Sequence, residues 1–200
     1  MSFFDSTKNF GTAMLIAGLI AALLSIAAIV LEALSDDGVN LGFIVGSIGD
    51  VIYGLMIAGM GVKVRNGEIS KKIELLGQFI MVVGAGFFVK SLFGGIGQAL
   101  NSAIVDGVVT IIIGIVVAFI VTWIAKKIMD GNATTLDKII WVLLLVIFVI
   151  MILASLFGIL AVLGGIMGIL AAIASLCYVI VYIFLLITLV SDEVKKEMGI

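Results

Sequence analysis

The fold of this chain is decided by the stretch IIWVLLLVIFVIMILASLFGILAVLGGIMGILAAIASLCYVIVYIFLLITLV, residues 139–190, which runs for 52 residues without a charged side chain. A helix that crosses a membrane needs about 20 apolar residues, because it rises about 1.5 Å per residue through a hydrocarbon core of about 30 Å. The stretch is too long for one crossing, so the chain must turn back within it. The pair Gly164-Gly165 divides it most evenly, and Gly158 is the alternative turning point.

The remainder of the chain has the same apolar character. Apolar residues make up 64% of the sequence and charged residues 12%, whereas a soluble domain has about 45–50% and about 25%. We therefore predict an all-α, polytopic integral membrane protein, a single bundle of six transmembrane helices arranged as three helical hairpins. The predicted spans are residues 11–34, 41–62, 73–93, 104–125, 139–163 and 166–190.

The basic residues predict the orientation of the bundle. Ten of the eleven Lys and Arg residues lie before the first span or after the second, fourth and sixth, and Lys90 is the exception. Positive charge resists translocation and stays in the cytoplasm. We therefore expect both termini to be cytoplasmic, in a multi-pass protein of a prokaryotic plasma membrane.

Composition also narrows the classes of function. The chain contains no histidine and one cysteine, Cys177, so an internal disulfide, a zinc cluster and histidine-based catalysis are excluded. We see no pairing of nucleophile and base and no phosphate-binding loop, and we therefore expect no enzyme activity, cofactor or metal. A net charge of −2 without a basic patch indicates no nucleic-acid partner.

Small residues recur at every fourth position in five of the six predicted spans. This spacing keeps them on one helix face, where they let two backbones approach closely in lipid. Such faces predict contacts between helices of the bundle, or contacts in a homo-oligomer or a larger membrane complex. The residues that we predict for helix packing are Ala17, Ala21, Gly42, Gly46, Gly54, Gly86, Gly114, Gly164 and Gly168.

Three ionisable residues, Asp50, Lys90 and Asp106, lie on these faces. A charge at the bilayer centre costs at least about 2.5–3.5 kcal/mol, so that Asp50, in the middle or outer half of the membrane core, must pair, become neutral or face water. Lys90 and Asp106 lie nearer the outer surface, which their side chains could also reach without a partner. Two interpretations stay open. Lys90 pairs with Asp50 or Asp106 and locks the bundle, or the three residues line a polar path that opens to the outside.

Glu74 and Gln78 lie one helical turn apart near the inner end of the third span. They are candidates for an inner gate, and the alternative is an ordinary solvated helix end.

The sequence supports two hypotheses for the function. The first is a small transport protein, a permease, channel or transporter subunit, that passes an ion or small solute past Asp50. The alternative is a non-transporting structural or accessory subunit that packs in a larger or self-assembled complex through its small-residue faces. An aqueous cavity that reaches Asp50 would favour the first hypothesis.

Overall fold

A computed structural model describes residues 6–36 and 38–200, and within them the chain forms seven α-helices and no strand. Six of the helices are long and apolar enough to cross a membrane. The prediction of an all-helical chain with six candidate spans is therefore confirmed. The helices are α1 (Thr7–Ala33), α2 (Leu41–Arg65), α3 (Lys72–Leu100), α4 (Ile104–Ile128), α5 (Thr135–Gly158), α6 (Gly165–Leu189) and the short α7 (Asp192–Glu197).

The third helix is longer than the sequence predicts, because it continues past residue 93 to Leu100. Glycine has a low helix propensity, which favours a loop at this glycine-rich segment. In the structure the glycines are contact points instead. A Cβ on Gly95 would lie 2.5 Å from the carbonyl oxygen of Gly107 in α4, and Gly97 faces Gly42 in α2. Packing on two neighbouring helices thus keeps this segment helical.

Both candidate turning points of the long apolar stretch have a role. The α-helix α5 ends at Gly158, and a 3-10 helix continues from Ile159 to Gly164 beside α6. The chain then reverses at Gly165, whose φ of +74° is a conformation that glycine adopts without steric cost. The predicted turn at Gly164-Gly165 is therefore confirmed.

The first four helices pack in chain order, each against the next, through very close backbone contacts. Between α1 and α2, a Cβ on Gly54 would lie 2.8 Å from the carbonyl oxygen of Gly18, and one on Gly61 would lie 2.7 Å from that of Gly11. Only glycine allows such an approach in the bilayer.

Small residues that pack closely on the neighbouring helix recur at every seventh position, in addition to the spacing of four that the sequence suggests. Some of them contact the neighbouring backbone, whereas Gly77, Gly84 and Gly114 contact side chains of that helix. A spacing of seven keeps contacts in register along helices that coil around each other in a left-handed sense. The small residues with this spacing are Gly11 and Gly18 in α1, Gly42, Gly49, Gly54 and Gly61 in α2, Gly77, Gly84 and Ser91 in α3, and Gly107 and Gly114 in α4.

Most of the predicted packing residues lie in the interior. Ala17, Ala21 and Gly168 are buried, and Gly42, Gly54, Gly86 and Gly114 have no room for a side chain. The structure does not place the other two at a tight contact. A Cβ on Gly46 would meet only the Cα of Gly94, at 3.9 Å, and one on Gly164 would have no neighbour within 4 Å among the described residues.

The hydrophobic core lies at one end of the bundle, beside the α2–α3 and α4–α5 connections. Phe10 of α1 stacks on Phe184 of α6 there, with 5.1 Å between the ring centroids. The last buried residue of α1 is Ala22 and that of α5 is Phe148. Beyond these residues α1 and α5 have no buried residue among those described, whereas α2, α3 and α4 stay in contact as far as Gly42, Gly97 and Gly107. We call the end that holds the core, which is predicted to be cytoplasmic, the closed end, and the other, where α1 and α6 leave space beside α2, the open end.

Candidate functional site

A crevice of about 540 Å³ occupies the open end of the bundle, between α1, α2 and α6. It extends from Asp50 in the middle of α2 to Glu32 in the last turn of α1, and therefore towards the end predicted to be outer. A second crevice of about 420 Å³ follows the α2–α3 groove from Asp50 to Asn101. Both volumes fall in the range of about 300–1,000 Å³ that is typical of small-molecule sites.

An ion pair lies where the two crevices meet. The Lys90 Nζ is 2.7 Å from the Asp50 Oδ1, and the side chains are 46% and 44% exposed. Gly49 allows this arrangement, because a Cβ there would already lie 3.1 Å from the Cα of Lys90. The close approach of α2 and α3 thus brings together two charges that are 40 residues apart in the chain.

Three tyrosines form the floor below the ion pair. Tyr178 stacks between Tyr53 and Tyr182, with ring centroids 6.3 Å and 6.1 Å apart. The Lys90 Nζ lies 5.6 Å from the centroid of Tyr53, within reach of a cation–π interaction. Tyr182 belongs to the buried core, so the tyrosines separate the crevice from the closed end.

Sequence reasoning missed Tyr53. It follows Asp50 by three positions, which places both side chains on one face of α2. That spacing was the available signal, but an apolar span gives no reason to favour one of its aromatic residues.

Asp106 does not join this site. It lies exposed in the first turn of α4 and takes part in none of the ion pairs formed between the described residues. A carboxylate is favourable there without a partner, because the amino end of a helix carries partial positive charge. Of the two carboxylates that the sequence offers to Lys90, the structure therefore shows Asp50 as the partner.

Polar side chains connect the helix ends at the mouth of the crevice. Asn40 caps α2 by accepting a 2.9 Å hydrogen bond from the backbone N–H of Phe43. The Asn101 Nδ2 donates to the same Asn40 Oδ1 at 3.0 Å, and the Asn40 backbone N–H donates to Glu32 at 3.0 Å. These bonds tie the ends of α1, α2 and α3 together.

The candidates for an inner gate lie apart from the crevice. The Gln78 Nε2 donates a 3.1 Å hydrogen bond to the Glu74 Oε1. Glu74 faces a separate cavity of about 340 Å³ at the closed end. Phe79, only 1% exposed, lies between Glu74 and Lys90 along α3, so buried side chains stand between the two cavities.

The closed end also holds a polar network that the sequence analysis did not identify. The Lys127 Nζ lies 2.7 Å from Asp130 and 3.2 Å from Asp137, and Asp137 accepts a 2.7 Å hydrogen bond from the backbone N–H of Thr134. Hydrogen bonds from Lys127 and from the backbone of Asn132 hold the pKa of the exposed Asp130 carboxyl below its usual value. This network fixes the α4–α5 connection.

Comparison of the chain with protein-family models, curated proteins and solved structures gives no match. The interpretation of the site therefore depends on its own geometry and chemistry.

Proposed function

We propose that this protein is a small transport protein, a permease, channel or transporter subunit, in which an ion or small solute enters the crevice and reaches the Asp50–Lys90 pair. The supporting observation is that the pair remains nearly half exposed at the end of a crevice of about 540 Å³. A pair that only locked two helices together would not require a crevice beside it. The open space beside it favours access to the charges.

The proposal includes an orientation. With both termini in the cytoplasm of a prokaryote, the crevice opens outward and the hydrophobic core closes the inner end. The support is the distribution of the basic residues, ten of which lie beside that closed end. In this proposal the solute enters the crevice from outside, and its passage to the cytoplasm requires the tyrosines and the core below them to separate.

A second candidate function is that of an accessory subunit in a larger or self-assembled complex. It is favoured by α4, which packs on α3 and otherwise touches little of the chain. Phe119 of α4, for example, is 76% exposed. Such an exposed apolar face can contact lipid as well as another protein. The crevice is therefore stronger support for a transport function than this face is for an accessory subunit.

Flux measurements in liposomes test the transport proposal. The purified protein is reconstituted, and the flux of protons, Na⁺, K⁺, Cl⁻ and a panel of small metabolites is followed. We expect flux of at least one species in the wild type and its loss in Asp50→Asn, an amide that preserves shape and removes the charge. Glu68→Gln is the matched control, since it makes the same change in an exposed loop.

The proposal fails if the wild type passes none of these species. It also fails if Asp50→Asn, folded as judged by its melting temperature, retains the full flux. Cross-linking of intact membranes that recovers a stable complex, together with no flux, would favour the accessory subunit.

A further inference from the structure

We infer that the crevice binds a small zwitterion with an apolar side chain, an α-amino acid or a close analogue, whose ammonium group contacts Asp50 and whose carboxylate contacts Lys90. The inference deepens the proposed function, since it rests on the crevice being the solute site of a transport protein. Binding can nevertheless be measured without transport.

Charge balance favours a zwitterion. The Asp50 and Lys90 side chains neutralise each other at a distance of 2.7 Å, deep in a membrane-spanning segment. A simple cation that binds Asp50 would leave Lys90 without a counterion. A simple anion that binds Lys90 would leave Asp50 without one. Where a bound ligand displaces water from the apolar walls of the crevice, a charge left without a partner is costly. A zwitterion supplies both replacement contacts and leaves no charge unpaired.

The short distance within the pair selects the type of zwitterion. The Nζ and the Oδ1 are in direct contact, so a ligand that inserts between them must carry its two charges close together. An ammonium group and a carboxylate on the same carbon meet this requirement. Charges at opposite ends of a flexible chain do so only if the chain folds back, which costs conformational entropy.

The walls of the crevice select an apolar side chain. Leu24, Phe43, Leu170 and Ala171 line it between the ion pair and the mouth. Binding sites for small molecules are typically of this kind, mostly apolar with a few convergent polar groups. The ring of Tyr53 also holds the Lys90 ammonium group at 5.6 Å. Lys90 therefore keeps a favourable contact when the ligand separates it from Asp50.

Equilibrium binding to the purified protein in detergent, followed by calorimetry, tests the inference. The probes are L-leucine, its isomer 6-aminohexanoate, and the singly charged analogues 3-methylbutylamine and 4-methylpentanoate. L-Valine and L-phenylalanine extend the series. We expect at least one of the three α-amino acids to bind, and L-leucine to bind roughly tenfold or more tightly than its isomer and both singly charged analogues, because only it satisfies both charges at close range.

Variants locate the binding. Asp50→Asn and Lys90→Met should each weaken the binding of the α-amino acid roughly tenfold or more. Since either change can disturb folding, Ala174→Phe serves as a second probe, because it fills the crevice and leaves the ion pair intact. It should abolish binding, whereas Glu68→Gln should leave the affinity unchanged.

Two results would overturn the inference. One is that none of the three α-amino acids binds, and the other is that L-leucine binds no better than the amine or the acid. Ion flux that depends on Asp50 but occurs without binding of an α-amino acid would overturn the zwitterion and retain the transport function. Binding that Ala174→Phe abolishes, in a protein that passes no solute, would retain the zwitterion site and overturn transport.

Discussion

The carbonyl oxygen of Gly54 in α2 lies 2.5 Å from the point where a Cβ on Gly18 of α1 would stand. Real Cβ atoms do not approach a backbone oxygen so closely, so the two helices are in contact through their backbones. The same relationship holds in reverse, with 2.8 Å from a Cβ on Gly54 to the oxygen of Gly18. A methyl group on either residue must push the helices apart.

The first prediction concerns this contact. Gly18→Ala and Gly54→Ala should each lower the free energy of unfolding in detergent by about 1–3 kcal/mol, because the added methyl groups overpack the interface. Gly59→Ala is the control, since a Cβ there meets nothing within 4 Å among the described residues. It should not destabilise the protein. Equal stability of all three variants would contradict the contact.

The second prediction concerns the strength of the Asp50–Lys90 pair. Breaking a buried ion pair costs about 3–5 kcal/mol, and an exposed one contributes about 0–1 kcal/mol. Because both side chains are nearly half exposed, we expect an intermediate coupling of about 1–2 kcal/mol. A double-mutant cycle with Asp50→Asn and Lys90→Met, followed by thermal unfolding, measures it. A coupling near zero would show that the two charges do not interact in the folded protein.

The third prediction compares two carboxylates that share Lys127. Asp137 is 3% exposed and accepts hydrogen bonds from the backbone and the hydroxyl of Thr134, whereas Asp130 lies at the surface. Asp137→Ala should therefore destabilise the protein by about 1–3 kcal/mol, because it removes the buried carboxylate that binds Thr134 and Lys127 and closes the first turn of α5. Asp130→Ala should cost less than about 1 kcal/mol. Chemical unfolding of both variants tests the order, and the reverse order would contradict the network.

The fourth prediction is that water reaches the crevice. In a Cys177→Ala background, single cysteines are placed at Ser25 and Ser175, which line the crevice, and at their sequence neighbours Ile26 and Leu176, which are exposed on other helix faces. A charged, water-soluble thiol reagent should modify the first two and not the others. Ser25 and Ile26 lie at the same depth in the membrane, and so do Ser175 and Leu176. Equal labelling of the two members of each pair would therefore mean that lipid fills the crevice.

The fifth prediction is the topology. Cysteines at Asn66 and Asn132 should be protected from an impermeant thiol reagent in intact cells, and a cysteine at Val39 should be labelled, because basic residues flank only the first two positions. Lysed cells are the control for reactivity at all three sites. Labelling at Asn66 or Asn132 without labelling at Val39 would reverse the orientation.

Much of the fold was predictable, because the hydropathy and the length of a segment are nearly sufficient to identify a membrane helix. Helices α2 and α4 begin at the predicted residues 41 and 104, where the polar connections end and the apolar segments begin. The end of α3 was not predictable in this way. Gly94 to Gly97 favours a loop by propensity, and only the positions of Gly42 and Gly107 on other helices reverse that preference.

The site was predictable only in part. The cost of burying a charge in lipid singles out Asp50 and Lys90 from any apolar sequence. Their pairing, and the exclusion of Asp106, depend on which faces of α2 and α3 meet. The same limit explains the helix contacts, since Gly42 and Gly46 look alike in sequence, yet only Gly42 touches the neighbouring backbone closely.

The backbone contacts among the first four helices have a mechanical consequence. Carbonyl oxygens contact the adjacent helix between α1 and α2 at Gly18 and Gly54, between α2 and α3 at Gly42 and Gly97, and between α3 and α4 at Gly95 and Gly107. These contacts hold the four helices together as one unit. Among the described residues, the hairpin of α5 and α6 makes no such contact with them, and a 2.9 Å hydrogen bond from the Trp141 Nε1 to the Leu189 carbonyl oxygen joins its own two helices. The hairpin meets the first four helices beside the hydrophobic core, where Phe184 stacks on Phe10 and Asp137 contacts Lys127. A motion that closes the crevice would therefore move this hairpin as one unit, with its pivot at the contact of Phe184 with Phe10 and its largest displacement at Gly165.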